Sequence, residues 1–354
     1  MTTAVQSSWA ALVGNPNSGK TAIFNLLTGL NQKVSNYPGV TVEKKTGQTR
    51  FADGSKFYLL DLPGTYSLTA ESMDERIVTE QVLNWIHGHE PPGVIVSVVD
   101  ATNLSRNLYL TTQLADLGIP VVVALNMMDM VKDEIKIDLD KLTNDLGIAA
   151  IVPMSAIEKW GQKELLEAVQ KSIDTAFVEN PFPIFLNDNI SKVLNPLEEI
   201  FKSQLRYNER LAKAQALRLV TRQSTLEIYD EMSVNGFTAD EAFMNTLRDK
   251  RQAAVDLLED TGIKHRIMEA TLRYEWLDSV LAAAKINIDP QIAEANYSEN
   301  LDRLLTHKWV GPAIFVLLLY FIFQSIFTWA TVPMDWINRG VGWVGNQVLN
   351  MISA

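Results

Sequence analysis

The sequence predicts an α/β domain, a mostly parallel sheet with helices on both faces, followed by a small all-α domain and an apolar C-terminal segment. Three observations predict this order. Five short runs, at residues 9–14, 56–63, 93–100, 121–126 and 149–156, are almost continuously hydrophobic, as strands buried on both faces of a parallel sheet must be. Amphipathic stretches such as 74–86 and 104–116 separate them, which gives the βα alternation of a doubly wound domain. Beyond the prolines at 181 and 183 the strand-like runs stop and helical spacing takes over.

The first run, WAALVG, opens the sheet, and the amphipathic AIFNLL follows it as a helix. Asp53-Gly54 forms a tight turn and implies one antiparallel pair at the sheet edge. Between about 187 and 286, four helices or so are expected to pack as a bundle. Phe243, Leu247, Ala254 and Leu258 share one helical face, as do Ile267, Ala270, Tyr274, Leu277 and Leu281. Thr238 opens T-A-D-E, a helix-start pattern with Glu241 placed to reach back. Residues 309–330 carry no charge. About 20 apolar residues span the ~30 Å hydrocarbon layer, so this stretch is expected to be a transmembrane helix with Trp309 and Trp329 at its interfaces.

Composition narrows the class. With 354 residues the chain holds two or three domains. A net charge of -11 argues against a nucleic-acid partner, which calls for a basic face. The absence of cysteine excludes disulfides, thiolate zinc sites and iron–sulfur clusters within the chain, and fits a reducing compartment. The N-terminal residues lack a basic start and a long apolar run, so no secretory signal is expected there.

The chemistry is concentrated at the strand ends. Gly14, Asn15, Pro16, Asn17, Ser18, Gly19, Lys20 and Thr21 match G-x-x-x-x-G-K-[ST] between a strand and a helix. Such a loop curls backbone N–H groups around phosphate oxygens and adds the positive end of the helix dipole. Lys20 is expected on the β- and γ-phosphates, and Thr21 on Mg2+. Asp61-Leu62-Pro63-Gly64 closes a buried strand, with Asp61 placed to hold Mg2+ through water and the Gly64 amide to approach the γ-phosphate. Asn126-Met127-Met128-Asp129 ends another strand. The Asp129 carboxylate can accept from guanine N1–H and the exocyclic amine, whereas adenine would leave the charge unpaired. Ser155-Ala156 is expected to complete the base pocket with a backbone amide. Four pieces in this order select a P-loop GTPase of Ras-like type, binding GTP and GDP, over an ATPase. Thr41, in the stretch 34–43, is the expected γ-phosphate sensor through Mg2+, and order in that loop supplies the switch. His87 and His89 form H-x-H without a third ligand and read as surface histidines.

Taken together, GNPNSGKT, YPGVTVEKKTG, DLPGTYSL, NMMD and LDRLLTHKWVGPAIFVLLLYFIFQ resemble the ferrous iron transport protein B family of bacterial inner membranes, over essentially the whole chain. The resemblance implies a GTPase with a G domain at 1–177 and a helical regulatory, GDI-like domain at 178–290 that favours GDP. It further implies a juxtamembrane linker at 291–308, a span at 309–330 and the start of further membrane structure at 331–354. It implies K+ beside the phosphates, bound by Asn17 with backbone carbonyls around Ser35 and Tyr37. That cation would supply charge that an arginine finger supplies elsewhere. Thr65 stands where Ras-like enzymes hold a glutamine, so hydrolysis is expected to be slow and potassium-stimulated. The expected partners are Fe2+ as transported ion, the lipid bilayer, further copies of the chain in a homo-oligomer and small Feo accessory proteins. A membrane-tethered interaction switch without transport is the alternative from another class. An RNA-directed GTPase of the Era or TrmE type is disfavoured by the acidic charge.

Overall fold

The computed structural model describes residues 9–29, 32–37, 42–69, 72–87, 91–131, 137–175, 180–231, 233–234, 237–238, 240–284, 310–325 and 331–352. It divides into two compact units, 1–288 and 289–354.

The first unit is built on β1 (Trp9–Gly14), β2 (Gln32–Asn36), β3 (Glu43–Arg50), β4 (Lys56–Asp61), β5 (Val94–Asp100), β6 (Val121–Asn126) and β7 (Ala150–Pro153). These described strands form one sheet in the order β2-β3-β4-β1-β5-β6-β7. β1 pairs in parallel with β4 and β5, and β5–β6 and β6–β7 are also parallel. β3 is antiparallel to both β2 and β4. The turn between β3 and β4 closes with Gly54 N–H on Phe51 O at 3.0 Å, Gly54 adopting φ 84°, a left-handed conformation that glycine takes without penalty.

Alternation along the parallel strands feeds two cores. Ala10, Leu12, Val96 and Val122 face one side, where α1 (Lys20–Thr28) and α6 (Gln162–Asp174) cover them. Ala11, Val13, Ile95 and Val123 face the other, under α2 (Met73–His87), α3 (Leu104–Ala115) and α5 (Leu139–Leu146). A one-turn α4 (Met128–Val131) follows β6.

The second of these cores continues into α7 (Asp188–Gln204), α8 (Glu209–Thr221), α9 (Ser224–Glu231), α10 (Glu241–Asp260) and α11 (His265–Ala284). The helical layer therefore shares its apolar interior with one face of the sheet, and α11 packs on α3, α5 and α8.

Four local expectations are corrected. β2 is a strand where a mobile stretch is expected; all its side chains are exposed, so an edge strand leaves no hydrophobic pattern to read. A short hairpin, β8 (Ser233–Val234) with β9 (Phe237–Thr238), interrupts the helices. The cap of α10 is Asp240, whose carboxylate accepts from Phe243 N–H at 2.7 Å, rather than Thr238. On α11, Leu277 and Leu281 are buried as expected, but Ile267 and Tyr274 are exposed, and Met268, Glu269 and Arg273 join the buried face. Charges neutralised against α3 and α8 take the places in the core that Ile267 and Tyr274 are expected to fill.

The second unit contains α12 (Val310–Gln324) and α13 (Thr331–Ile352). Phe315 to Phe323 of α12 are apolar and exposed. Among the described residues no helix is long and apolar enough to cross a membrane. The expected span at 309–330 is thus described only over its helical part, and Trp309 and Trp329 lie outside the described residues.

Candidate functional site

The carboxyl ends of β4, β1, β5 and β6 converge on one edge of the sheet, the place where open α/β sheets bind ligands. The loop after β1 occupies it. Asn17 and Gly19 adopt positive φ, 65° and 86°, so successive N–H groups turn to one side and lead into α1. Ser18 N–H and Oγ both donate to Asn15 O, at 3.3 and 2.8 Å, closing the turn. Gly19 is required for a second reason: a Cβ there would lie 2.1 Å from Asn126 Nδ2.

Asn126 locks the site. Its Nδ2 donates to Ser18 O and its Oδ1 accepts from Ala156 N–H, each at 3.0 Å, with the side chain buried. One carboxamide thereby joins the phosphate loop, the end of β6 and the Ser155-Ala156 turn. The Ala156 amide, expected to face a base, is held by this bond. Met127 has φ 63°, and Asp129 on α4 is half-buried with no hydrogen bond to its carboxylate among the described residues.

Lys20 and Asp61 face each other across the loop, Nζ to Oδ1 at 2.5 Å. Burial raises the Asp61 pKa above the usual carboxylate range, and the nearby Lys20 and Lys45 only partly oppose it. Thr21 is exposed at the start of α1. A cleft of about 520 Å³ opens here, lined by residues including Asn17, Lys20, Thr21 and Gly64. A Cβ on Gly64 would meet Pro16 at 3.2 Å, so the D-x-x-G segment lies against the loop. Thr65 N–H anchors it on Gly14 O at 3.2 Å, and the Thr65 hydroxyl donates to Ser67 O at 2.7 Å.

Asn17 is exposed at the cleft, with no side-chain hydrogen bond among the described residues. Ser35 sits on β2 and Tyr37 just after it; Ser35 Oγ donates to Lys44 O at 3.4 Å. The Tyr37 ring is buried and burial, with Asp61 nearby, pushes its pKa to about 12. Thr41, His89 and the side chain of His87 lie outside the described residues. No group of three metal-ligating side chains occurs among those described.

Sequence reasoning missed Arg106, Gln113 and Glu269. The Arg106 carbonyl accepts from Asn15 Nδ2 at 3.3 Å while its guanidinium lies 4.4 Å over the Tyr66 ring. Gln113, fully buried on α3, accepts from Leu68 N–H at 2.7 Å. The available signal was a glutamine directly before Leu114 and Ala115 on the stretch read as an amphipathic helix.

This sheet, with a phosphate loop at its carboxyl edge and an asparagine bolting that loop to β6, defines a P-loop domain of the G-domain type. A family profile described as ferrous iron transport protein B matches residues 8–169. A Fe(2+) transporter FeoB of Staphylococcus aureus is 32% identical over 92% of this chain and 45% of its own length. That of Salmonella typhimurium is 32% identical over 94% and 41%. A Porphyromonas gingivalis fusion of Fe(2+) transport protein A with FeoB is 32% identical over 96% and 39%. Among solved structures, the cytosolic domain of L. pneumophila FeoB superposes with TM-score 0.62 at 33% identity, covering 79% of this chain and 100% of that one. A GDP-bound mutant of the S. thermophilus FeoB G-domain gives 0.64 at 33%, covering 78% and 99%. The chain belongs to the ferrous iron transport protein B (FeoB) family. It spans less than half the length of these three curated relatives.

Proposed function

We propose that this chain is the GTP-binding and GTP-hydrolysing part of a ferrous iron transporter. Its nucleotide state switches loops that gate or drive Fe2+ passage across the bacterial inner membrane. The observation that carries the reading is the pair of hydrogen bonds that Asn126 makes, donating to Ser18 O and accepting from Ala156 N–H, which ties a phosphate loop to a base pocket. GDP in a solved relative of the same fold supports the ligand class.

In this reading the amides of the loop from Gly14 to Thr21 surround the phosphates and Lys20 leaves Asp61 to meet the β- and γ-oxygens. The residues fit Mg2+: the exposed Thr21 hydroxyl lines the cleft beside Lys20, which pairs with the buried Asp61 carboxylate, and Thr41 is the expected third contributor. Mg2+ supplies charge neutralisation on the β- and γ-phosphates. Asp129 reads the guanine edge, with Met127, Ser155 and Ala156 lining the base pocket. The Gly64 amide meets the γ-phosphate and moves the segment 62–69 with it. The free Asn17 carboxamide fits K+, with Ser35 and Tyr37 as the further candidate ligands; that cation adds positive charge where the transition state develops negative charge. The Thr65 hydroxyl already donates to Ser67 O, so it is not free to orient water as the glutamine of Ras-like enzymes does, and hydrolysis is slow.

The helical layer, assigned to 178–290, acts as the regulatory domain. The apolar run 309–330 enters the bilayer, since the exposed apolar surface at 315–323 marks a membrane or partner contact. With residues 291–308 leading in, the G domain and helical domain stay cytoplasmic. Fe2+, copies of this chain and small Feo accessory proteins are the proposed partners; the fusion with Fe(2+) transport protein A in one relative supports the last.

The test is hydrolysis by the full chain in detergent, GTP against ATP and K+ against Na+, with Asn17→Ala alongside. Preferential GTP cleavage, faster in K+ only when Asn17 is present, supports the reading. Equal rates in K+ and Na+ overturn the cation role, and cleavage of ATP as fast as GTP overturns the base assignment. Proteoliposomes of the whole transporter that bind GTP yet move no Fe2+ would favour the tethered switch.

A further inference from the structure

A chain of buried polar contacts leaves the D-x-x-G segment and ends in the helical layer. Leu68 N–H donates to Gln113 Oε1 at 2.7 Å. Gln113 Nε2 donates to Glu269 Oε1 at 2.8 Å. Glu269 in turn accepts from Arg273 Nε at 3.1 Å, and Arg273 Nη2 reaches Asp116 Oδ2 at 2.6 Å. Gln113, Glu269, Arg273 and Asp116 are all essentially inaccessible to water.

The direction of this chain is not free. Leu68 N–H can only donate, and an ionised Glu269 can only accept, so the Gln113 amide has one consistent orientation. Burial pushes the Glu269 carboxyl up, but Arg218 and Arg273 outweigh it and hold it below the usual range. Glu269 therefore stays ionised, and the helical layer dictates which end of Gln113 faces the segment 65–69. A second tie runs beside it. Ser105 on α3 bonds Asp278 of α11 at 3.2 Å, and Tyr109 stacks on Tyr274 with ring centroids 4.9 Å apart. The neighbouring Arg106 touches both Asn15 and Tyr66.

We propose that Gln113 is a positioning residue through which Glu269 of the helical layer holds the segment after Gly64, and so sets how fast nucleotide leaves. The proposal rests on the GTP-switch reading and names the side chains that couple the two layers. Motion of Gly64 towards a γ-phosphate pulls Leu68 from Gln113, leaving a buried amide oxygen and a buried carboxylate less well paired, which is costly. The coupling is reciprocal: a helical layer that grips Gln113 favours the segment position described here.

The experiment uses the full chain in detergent with three variants. Gln113→Met keeps volume but removes both bonds. Gln113→Glu sets two carboxylates against each other. The pair Gln113→Glu with Glu269→Gln keeps the bond from Leu68 N–H and restores the 113–269 bond with its polarity reversed. Release of fluorescent GDP is timed, and hydrogen exchange is followed at residues 65–69 and on β1 and β6 without nucleotide. Gln113→Met and Gln113→Glu should each release GDP about tenfold faster, as the loss of one buried bond of about 1.4 kcal/mol gives. Exchange should rise at 65–69 while β1 and β6 stay protected, and the double variant should return both readouts to within about threefold of wild type. A double variant no better than Gln113→Glu, or Gln113→Met indistinguishable from wild type, overturns the proposal. Should the wild-type chain bind no GDP, the GTP-switch reading fails, and exchange at 65–69 still decides the positioning claim.

Discussion

Replacing Asn126 with alanine removes the bolt between the phosphate loop and the base-side turn. The magnitude follows from what is left behind. Ser18 O and Ala156 N–H each lose a 3.0 Å partner in a site where Asn126 is buried. An unsatisfied buried donor or acceptor costs about 1–3 kcal/mol, so the two together cost about 2–6 kcal/mol. Water entering the vacated volume recovers some of that, which places the net loss near 2–4 kcal/mol. Part falls on the fold and part on the ligand, because the loop amides must point together to bind phosphate. If half reaches the ligand, GDP affinity falls about 5- to 30-fold. Titration with fluorescent GDP reads the affinity, and thermal unfolding with and without GDP separates the two shares. Binding by Asn126→Ala within twofold of wild type, with unchanged unfolding, would refute the reasoning.

Asp61→Asn should separate stability from activity. Burial raises the Asp61 pKa despite Lys20 and Lys45. The favourable contribution of its neutral form is therefore fully present below the unfolded value near 3.8 and is lost as pH rises through the folded one. At neutral pH the variant should melt no lower than wild type while Mg2+-dependent GTP hydrolysis falls by ~100-fold or more. Its advantage in melting temperature should shrink as pH drops towards 4. Asp116→Ala should do the opposite. Arg273 Nη2 and Arg210 Nε lose their acceptor at 2.6 and 3.0 Å in the core, and breaking a buried pair costs about 3–5 kcal/mol. Chemical denaturation should show that loss with GDP contacts untouched.

What could be read in advance was local. The phosphate loop announces itself because its glycines and Lys20 must stand at fixed spacing, and β1, β5 and β6 because burial on both faces demands unbroken apolar runs. β2 could not be read: QKVSN is an exposed edge strand, held by backbone bonds to β3. Nor could α11. Its apolar residues suggest a face containing Ile267 and Tyr274, yet both are exposed while Glu269 and Arg273 are buried. Their partners, Asp116 and Gln113 on one side and Arg218 on the other, come from α3 and its end and from α8, and no periodicity along one helix reports a charge balanced by another. The same holds for Asn126, whose motif suggests base recognition while its geometry shows a clasp between loops.

The most direct measurement of guanine recognition is competition against fluorescent GDP by GTP, ATP and xanthosine triphosphate, for wild type and Asp129→Asn. A carboxylate at this position favours the guanine N1–H and amine, whereas an amide favours the 2-keto group of xanthine. Wild type should prefer GTP over ATP by ~1,000-fold or more, as a buried polar group left unpaired by the wrong ligand requires. Asp129→Asn should lose that preference and gain xanthosine triphosphate. Equal competition by ATP and GTP in the wild-type chain, or no change of preference in Asp129→Asn, would contradict the account.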